Sequence, residues 1–214
     1  MNFKEDFMES KYSTEQEAFW AGKFGKEYID RNIGNDLLAS NLHFFSNVLK
    51  GCSSISSVLE FGCNVGMNIQ ALQLLLPSSS FTGIEINKDA YEKFTSLPGV
   101  VGINKSIFDF ESEKKYDFSF IKGVLIHINP DMLDVVYEKL YGSSSKYVCI
   151  AEYYNPTPVG ISYRGHTDKL FKRDFAGEFA DKYRDVELIN HGFAYRKDPL
   201  FPQDDISWFL FRKK

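Results

Sequence analysis

Short apolar runs alternating with helix-period segments are the feature that most limits how this chain can fold. After residue 50, the runs SVLEFG, FTGIEI, VVGIN, YDFSFIKG and KYVCIAE are interleaved with the helical patterns MNIQALQLLL, DAYEKFTSL, PDMLDVVYEKLY and KRDFAGEFADKY. Strand-length runs joined by helical crossovers predict a mostly parallel sheet with helices on both faces, because such crossovers keep one hand. The last two runs, VELINHGFAY and ISWFLFRK, have no helix between them and predict an antiparallel hairpin. Ahead of the alternation, residues 13–50 read as helical. Ser13 and Thr14 with Glu17 can cap a helix, and DLLASNLHFFSNVLK spaces its apolar residues three and four apart.

The chain has 214 residues, 43% of them hydrophobic, enough for one sizeable core. A net charge of -4 supplies no overall basic field, so nucleic-acid binding is not expected. Cys52, Cys63 and Cys149 show neither C-x-x-C spacing nor nearby paired histidines, so no disulfide framework and no metal site are expected. The charged N-terminal stretch lacks a signal-peptide core, and nowhere do 18 apolar residues run together. A cytoplasmic protein without a membrane partner is the expectation.

The stretch VLEFGCNVGMN, residues 58–68, places a tight turn between a strand and a helix, at the sheet edge where open α/β folds bind ligands. A dinucleotide site would need G-x-G-x-x-G to bring pyrophosphate onto the helix N-terminus. The string here is Gly62-Cys63-Asn64-Val65-Gly66, which fails at the second and third glycines. What remains, E-x-G-x-x-x-G from Glu60, resembles motif I of the class I S-adenosylmethionine (SAM)-dependent methyltransferases. SAM has an amino-acid tail in place of phosphate, so Glu60 near an ammonium and Asn64 beside the tail are chemically sensible. Glu85, at the end of the second strand and 19 residues beyond Gly66, can accept hydrogen bonds from both ribose hydroxyls; as an isolated residue it would be a solvated strand-end charge.

The resemblance implies further cofactor contacts. Ser106 and Ile107 fall where that family meets the adenine, with Ile107 against its face, although Ser106 stands where the family usually has Asp. Ile86 and Phe108 flank these positions. Lys122, Gly123 and Val124 would line the sulfonium pocket with Cys63 in the turn. In the N-terminal segment, Trp20, Phe24 and Tyr28 read as apolar cover over the cofactor. Arg31 is placed to meet the methionine carboxylate, or else lies in solvent on a packed helix.

Methyl transfer is an in-line displacement helped by alignment and, for a hydroxyl or protonated amine, by a base. His127 is the preferred base, with a structural histidine as the alternative, and Tyr154 and His166 join it as catalytic candidates. The unusually polar and aromatic connection at 152–179 supplies the acceptor candidates Glu152, Tyr153, Asn155, Tyr163, Arg164, Lys172 and Arg173. The arginines suit a carboxylate or phosphate; Lys172 and Arg173 also fit the solvated start of a helix capped by Asp174.

TEQEAFWAGKFGKEYIDRN, FIKGVLIHINPD, EYYNPTPVGISYRGHTDKLFKRDFAGEF and QDDISWFLFRK together resemble the pseudaminic acid biosynthesis-associated methylases. That resemblance implies a Rossmann-like fold with a mostly parallel seven-stranded sheet, SAM as cofactor with S-adenosylhomocysteine (SAH) as product, and a small acidic sugar-like acceptor. It also implies a helical lid over residues 1–50 and a SAM-binding part at 51–214, forming one structural domain. The alternatives are methylation of a protein such as flagellin, methylation of RNA, and a SAM-binding module without turnover.

Overall fold

The computed structural model describes residues 12–29, 34–165, 167 and 169–214; Arg31 and His166 lie outside the described residues. Three helices come first: α1 (Glu15–Ala21), α2 (Lys23–Ile29) and α3 (Asn35–Val48). Then β1 (Ser57–Phe61), α4 (Met67–Leu75), β2 (Ser80–Ile84), α5 (Lys88–Thr95) and β3 (Val100–Ile103) alternate. They are followed by β4 (Tyr116–Lys122), α6 (Leu133–Gly142), β5 (Ser144–Glu152), the short strands β6 (Val159–Gly160) and β7 (Phe171–Lys172), α7 (Phe175–Lys182), β8 (Val186–Ala194) and β9 (Ile206–Lys213).

The main sheet has seven strands in the order β3-β2-β1-β4-β5-β9-β8. Strands β1 to β5 pair in parallel, while β9 runs antiparallel to both β5 and β8. The expected parallel sheet with a C-terminal hairpin is therefore present. Central strands β1 and β4 are buried almost throughout, as strands covered on both faces must be. On one face Phe44, Phe45 and Val48 of α3, Ile69 and Leu72 of α4, and Phe94 of α5 pack with Phe118 and Phe120. On the other, Leu133, Val136 and Leu140 of α6 and Phe175 and Phe179 of α7 pack with Leu59, Ile121 and Ile150.

The N-terminal segment divides in two by what it touches. Helix α3 belongs to the sheet core through its phenylalanines, and Asn190 of β8 donates to its last carbonyls at Asn47 (2.9 Å) and Val48 (3.3 Å). Helices α1 and α2 instead lie over the carboxyl edge of the sheet. Thr14 caps α1 in the expected box: the Glu17 amide donates to Thr14 Oγ1, and the Glu17 carboxylate accepts from the amides of Ser13 and Thr14. Segment 152–179 holds the β6–β7 pair within it, and Asp174 caps α7 by accepting from the Gly177 amide at 2.8 Å.

At the opposite edge, Asp117 braces the sheet by accepting from the Ser56 amide (2.8 Å) and hydroxyl (2.6 Å), beside Lys146 Nζ at 3.1 Å. Burial pushes its pKa up, but the Ser56 hydrogen bonds and Lys146 outweigh this and hold it at about 2. A folded pKa below the unfolded one gives stability that is complete above the ordinary carboxylate range and lost as pH falls toward 2. Asp117→Asn should cost about 2 kcal/mol in urea unfolding at neutral pH, and the gap from wild type should close between about pH 4 and pH 2. A gap unchanged by pH would assign the loss to packing.

Candidate active site

The β1–α4 turn owes its shape to three residues with positive φ: Gly62 (74°), Asn64 (47°) and Gly66 (83°). A Cβ on Gly62 would lie 2.6 Å from Val124, and one on Gly66 would lie 2.6 Å from Phe94, so glycine is required for space as well as for φ. Asn64 occupies the left-handed region that asparagine tolerates best among residues with side chains. Its amide donates to Glu85 Oε2 at 2.8 Å, and its own Oδ1 is buried without a partner.

Around this turn lies a cavity of about 520 Å³, within the usual range for a cofactor or small-ligand site. It brings together many of the sequence-derived candidates: Trp20, Gly62, Cys63, Asn64, Glu85, Ile86, Ser106, Ile107, Phe108, Lys122, Gly123 and His127 all line it, as does Tyr28. Cys63 lies buried against Gly83 and acts as packing. Gly66 forms the N-cap of α4 behind the wall. Glu60 also sits behind it, with Oε1 accepting from Asn68 Nδ2 (2.6 Å) and Oε2 unpartnered; Asn68 itself faces the cavity. Burial raises the Glu60 pKa to about 8, against the Asn68 hydrogen bond and the nearby Lys122.

Helices α1 and α2 close the cavity through specific tethers. Ser106 Oγ donates to Glu17 Oε1 and accepts from the Phe108 amide at 3.0 Å, so the carboxylate at this position comes from α1. Asn87 Nδ2 donates to the carbonyls of Trp20 (3.1 Å), Ala21 (3.3 Å) and Gly22 (3.4 Å), while its Oδ1 caps α5. A Cβ on Gly25 would fall 2.9 Å from Asn87 Nδ2 and 1.9 Å from the Trp20 carbonyl, so glycine is needed at this junction. Aromatic packing finishes the cover: Trp20 lies 4.6 Å from the His127 ring, and Phe24 and Tyr28 meet Trp20 edge-on.

His127 closes a 3₁₀ turn, Leu125–His127, that the sheet itself holds in place. Glu152, at the end of β5, accepts from the amides of Val124 and Leu125, both at 2.9 Å, and of Ile126 at 3.4 Å. Its carboxylate is buried, and that burial raises its pKa to about 7. Glu152 is thus spent on shaping the turn and does not reach the cavity. The neighbouring carbonyl of Lys169 accepts from His127 Nδ1 at 2.6 Å, which fixes the proton there and leaves Nε2 as the proton-accepting nitrogen. Burial lowers the His127 pKa to about 4, so the ring is neutral at physiological pH.

The remaining acceptor candidates are not brought to the cavity. Tyr154 and Arg173 bridge to one another, and Arg173 Nε donates to Glu178 at 2.6 Å. Lys172 sits over the Tyr153 ring, Arg164 over Tyr163, and Asn155 bonds within its own turn to Thr157. Tyr163 packs 5.1 Å from the ring of His127 and steadies it from behind. Among these described residues, the polarity of the segment is consumed locally. The cavity wall across from Glu85 is built instead by Asn41 of α3, Lys122, and Arg196, Gln203 and Asp204 of the β8–β9 connection. Except for Lys122, none of these was singled out from sequence as a site residue; Gln203 and Asp204 entered only within QDDISWFLFRK, as part of the family resemblance.

No family model matches the chain, and no curated protein matches it. Solved structures do. The plantazolicin methyltransferase BpumL in complex with SAH aligns with a TM-score of 0.65 at 15% identity, over 93% of this chain and 94% of that one. Magnesium protoporphyrin IX methyltransferase from Synechocystis PCC 6803 with bound SAM aligns with a TM-score of 0.67 at 10% identity, over 96% and 100%. A SAM-dependent methyltransferase from Clostridium acetobutylicum ATCC 824 gives 0.61 at 9%, over 89% and 97%. The fold is that of the Rossmann-like class I methyltransferases.

Glu60 yields a pH test. Its folded pKa lies above the unfolded value, so its contribution to stability is complete at low pH and is lost as pH rises through about 8. Wild-type protein should lose stability between about pH 5 and pH 8 more steeply than Glu60→Gln, in thermal melts across that range. Parallel profiles for the two proteins would mean that Glu60 is ionised in the fold.

Proposed function

We propose that the protein is a SAM-dependent methyltransferase that acts on an oxygen or nitrogen of a small anionic acceptor. The observation that carries this reading is the buried, unpartnered Asn64 Oδ1 on the wall of a cavity that the Glu85 carboxylate also lines at the β1–β2 edge. Acceptors in these positions suit an ammonium and two ribose hydroxyls and repel a pyrophosphate. Glu85 keeps lone pairs for a ribose after accepting the amides of Asn64 and Asn87. Ile107 and Phe108 supply an apolar face for a base, with the Glu17–Ser106 pair at its edge. Fold neighbours that carry SAM or SAH support the same cofactor.

When bound, SAM supplies an electrophilic methyl group on a sulfonium. Trp20 and Tyr28 shield the reacting centre from water, which strengthens every charge interaction within it. His127 Nε2 takes the acceptor proton. Loss of that proton leaves the acceptor atom as the nucleophile for the methyl group that SAM would supply, with SAH as the product. Lys122, its pKa lowered by burial, stands beside this centre as the buried cation of the wall. For the acceptor, an acidic nonulosonic sugar or its nucleotide-activated form is supported by the sequence resemblance to pseudaminic acid-associated methylases and by the cations Lys122 and Arg196 on the cavity wall.

One observation favours a second reading, a binding module without turnover: His127 is buried, packed by Trp20 and Tyr163, and fully engaged at Nδ1. Methyl release from labelled SAM in the presence of cell extract separates the two. His127→Ala should lower turnover roughly 10²–10⁴-fold, as removal of a general base does, with SAM affinity held within a few-fold; an inactive wild type that binds SAM would establish the module. Asn64→Gly should fold normally because glycine takes its φ freely, and it should weaken SAM binding in calorimetry by about tenfold, the worth of one charge-assisted hydrogen bond. Undiminished affinity would show that only the turn's backbone matters.

A further inference from the structure

The cavity follows the carboxyl edge of the sheet across several strands. Glu85 stands after β2 and Ser106 after β3, on one side of β1; Lys122 ends β4, and Ile206 begins the antiparallel β9, on the other. Neighbouring strands lie about 4.8 Å apart, so β2 and β9 are separated by roughly 19 Å. A ligand that takes its ribose at Glu85 and its base at Ile107 therefore leaves the β4–β9 wall to a second molecule. That wall carries Asn41, Lys122, Arg196, Gln203 and Asp204.

Of these residues, Asn41, Arg196, Gln203 and Asp204 are held in place by hydrogen bonds. Gln203 Nε2 donates to Asn41 Oδ1 at 2.8 Å, with Asn41 only 1% exposed and Gln203 8%. The Tyr153 hydroxyl donates to Asp204, and the carboxylate holds the phenol pKa up after burial has raised it. Arg196 donates to Asp205 from its backbone (3.0 Å) and from Nη1 (2.8 Å). Phe201 stacks on His43 with ring centroids 4.6 Å apart. Burying the two amides along a cavity, with the exposed Asp204 beside them, costs desolvation that an apolar lining would avoid. Such a wall suits a ligand that returns those hydrogen bonds.

Resting on the methyltransferase reading, we propose that Asn41, Gln203 and Asp204 form the acceptor subsite, and that the acceptor is a polyhydroxylated, carbohydrate-like ring. Planar amide and carboxylate groups hydrogen-bond adjacent hydroxyls as pairs of donors and acceptors. Trp20 and Tyr28, on the same cavity, offer aromatic faces to the apolar side of such a ring. Lys122 marks the junction with the cofactor pocket, and Arg196 meets charge at the rim. Tyr153 is a positioning residue, acting through Asp204. Segment 152–179 contributes to the site from outside, by bracing Asp204 and His127.

The test uses the full chain loaded with SAH, with D-glucuronate, N-acetylneuraminate and methyl α-D-glucopyranoside as probes and 2-naphthoate as an apolar contrast. Side-chain amide signals of Asn41 and Gln203 are followed by NMR during each titration. At least one sugar probe should shift both signals, and naphthoate neither. Gln203→Ala and Asp204→Asn should each weaken that probe roughly tenfold or more, while SAH affinity stays within about twofold. Shifts confined to 152–179, a preference for naphthoate, or unmoved Asn41 and Gln203 signals with every sugar would overturn the subsite; the wild-type titration decides this even where a variant fails to fold. Failure of wild-type protein to bind SAH would instead remove the methyltransferase reading itself.

Discussion

Two backbone amides from different turns converge on the Glu85 carboxylate, Asn64 N–H at 2.8 Å and Asn87 N–H at 2.7 Å, and the construction of the cavity follows from that convergence. Burial raises the cost of this charge and its pKa, and the amide hydrogen bonds work against that rise. The first amide fixes the left-handed turn after β1; the second fixes the start of α5. From Asn87 the chain of contacts passes to the carbonyls of Trp20, Ala21 and Gly22, so α1 is hung from the same point. Glu17 on Ser106 is the second attachment. A bound ribose at Glu85 would thus be felt by the turn beneath it and the helices above it.

Buried carboxylates recur around the site: Glu60, Glu85 and Glu152 are all shielded, and all have raised pKa values. Each does a different job. Glu152 shapes the 3₁₀ turn that presents His127, Glu60 stands behind Asn68, and Glu85 clamps the two turns. Keeping them buried costs stability, a usual feature of functional sites. Lys122, itself pushed down by burial, is held up in part by the nearby carboxylates of Glu60, Asp204 and Glu152.

Much of the scaffold was legible because it depends on local pattern. Alternating runs fix strands and crossovers, Thr14 with Glu17 announces its own cap, and Gly62 and Gly66 mark positions where a Cβ would collide. The cofactor side of the cavity follows from strand ends, which is why Asn64, Glu85, Ile107 and Lys122 all line it. The proposed acceptor side was less legible. Polarity in 152–179 suggested ligand contacts, yet Arg173 pairs with Glu178 and Glu152 turns inward, choices that depend on tertiary neighbours. Conversely Asn41 and Gln203, 162 residues apart, meet only because antiparallel β9 returns its starting end to the carboxyl edge beside α3. Ser106 lacked a carboxylate in sequence, and Glu17 supplies one from a helix that precedes it by 89 residues.

Calorimetric titration of the purified chain with SAH, run beside NAD, tests the central claim most directly. One SAH should bind per chain, Glu85→Ala should abolish or severely weaken that binding, and NAD should give no heat of binding. Binding of NAD without SAH, or SAH binding indifferent to Glu85, would contradict it.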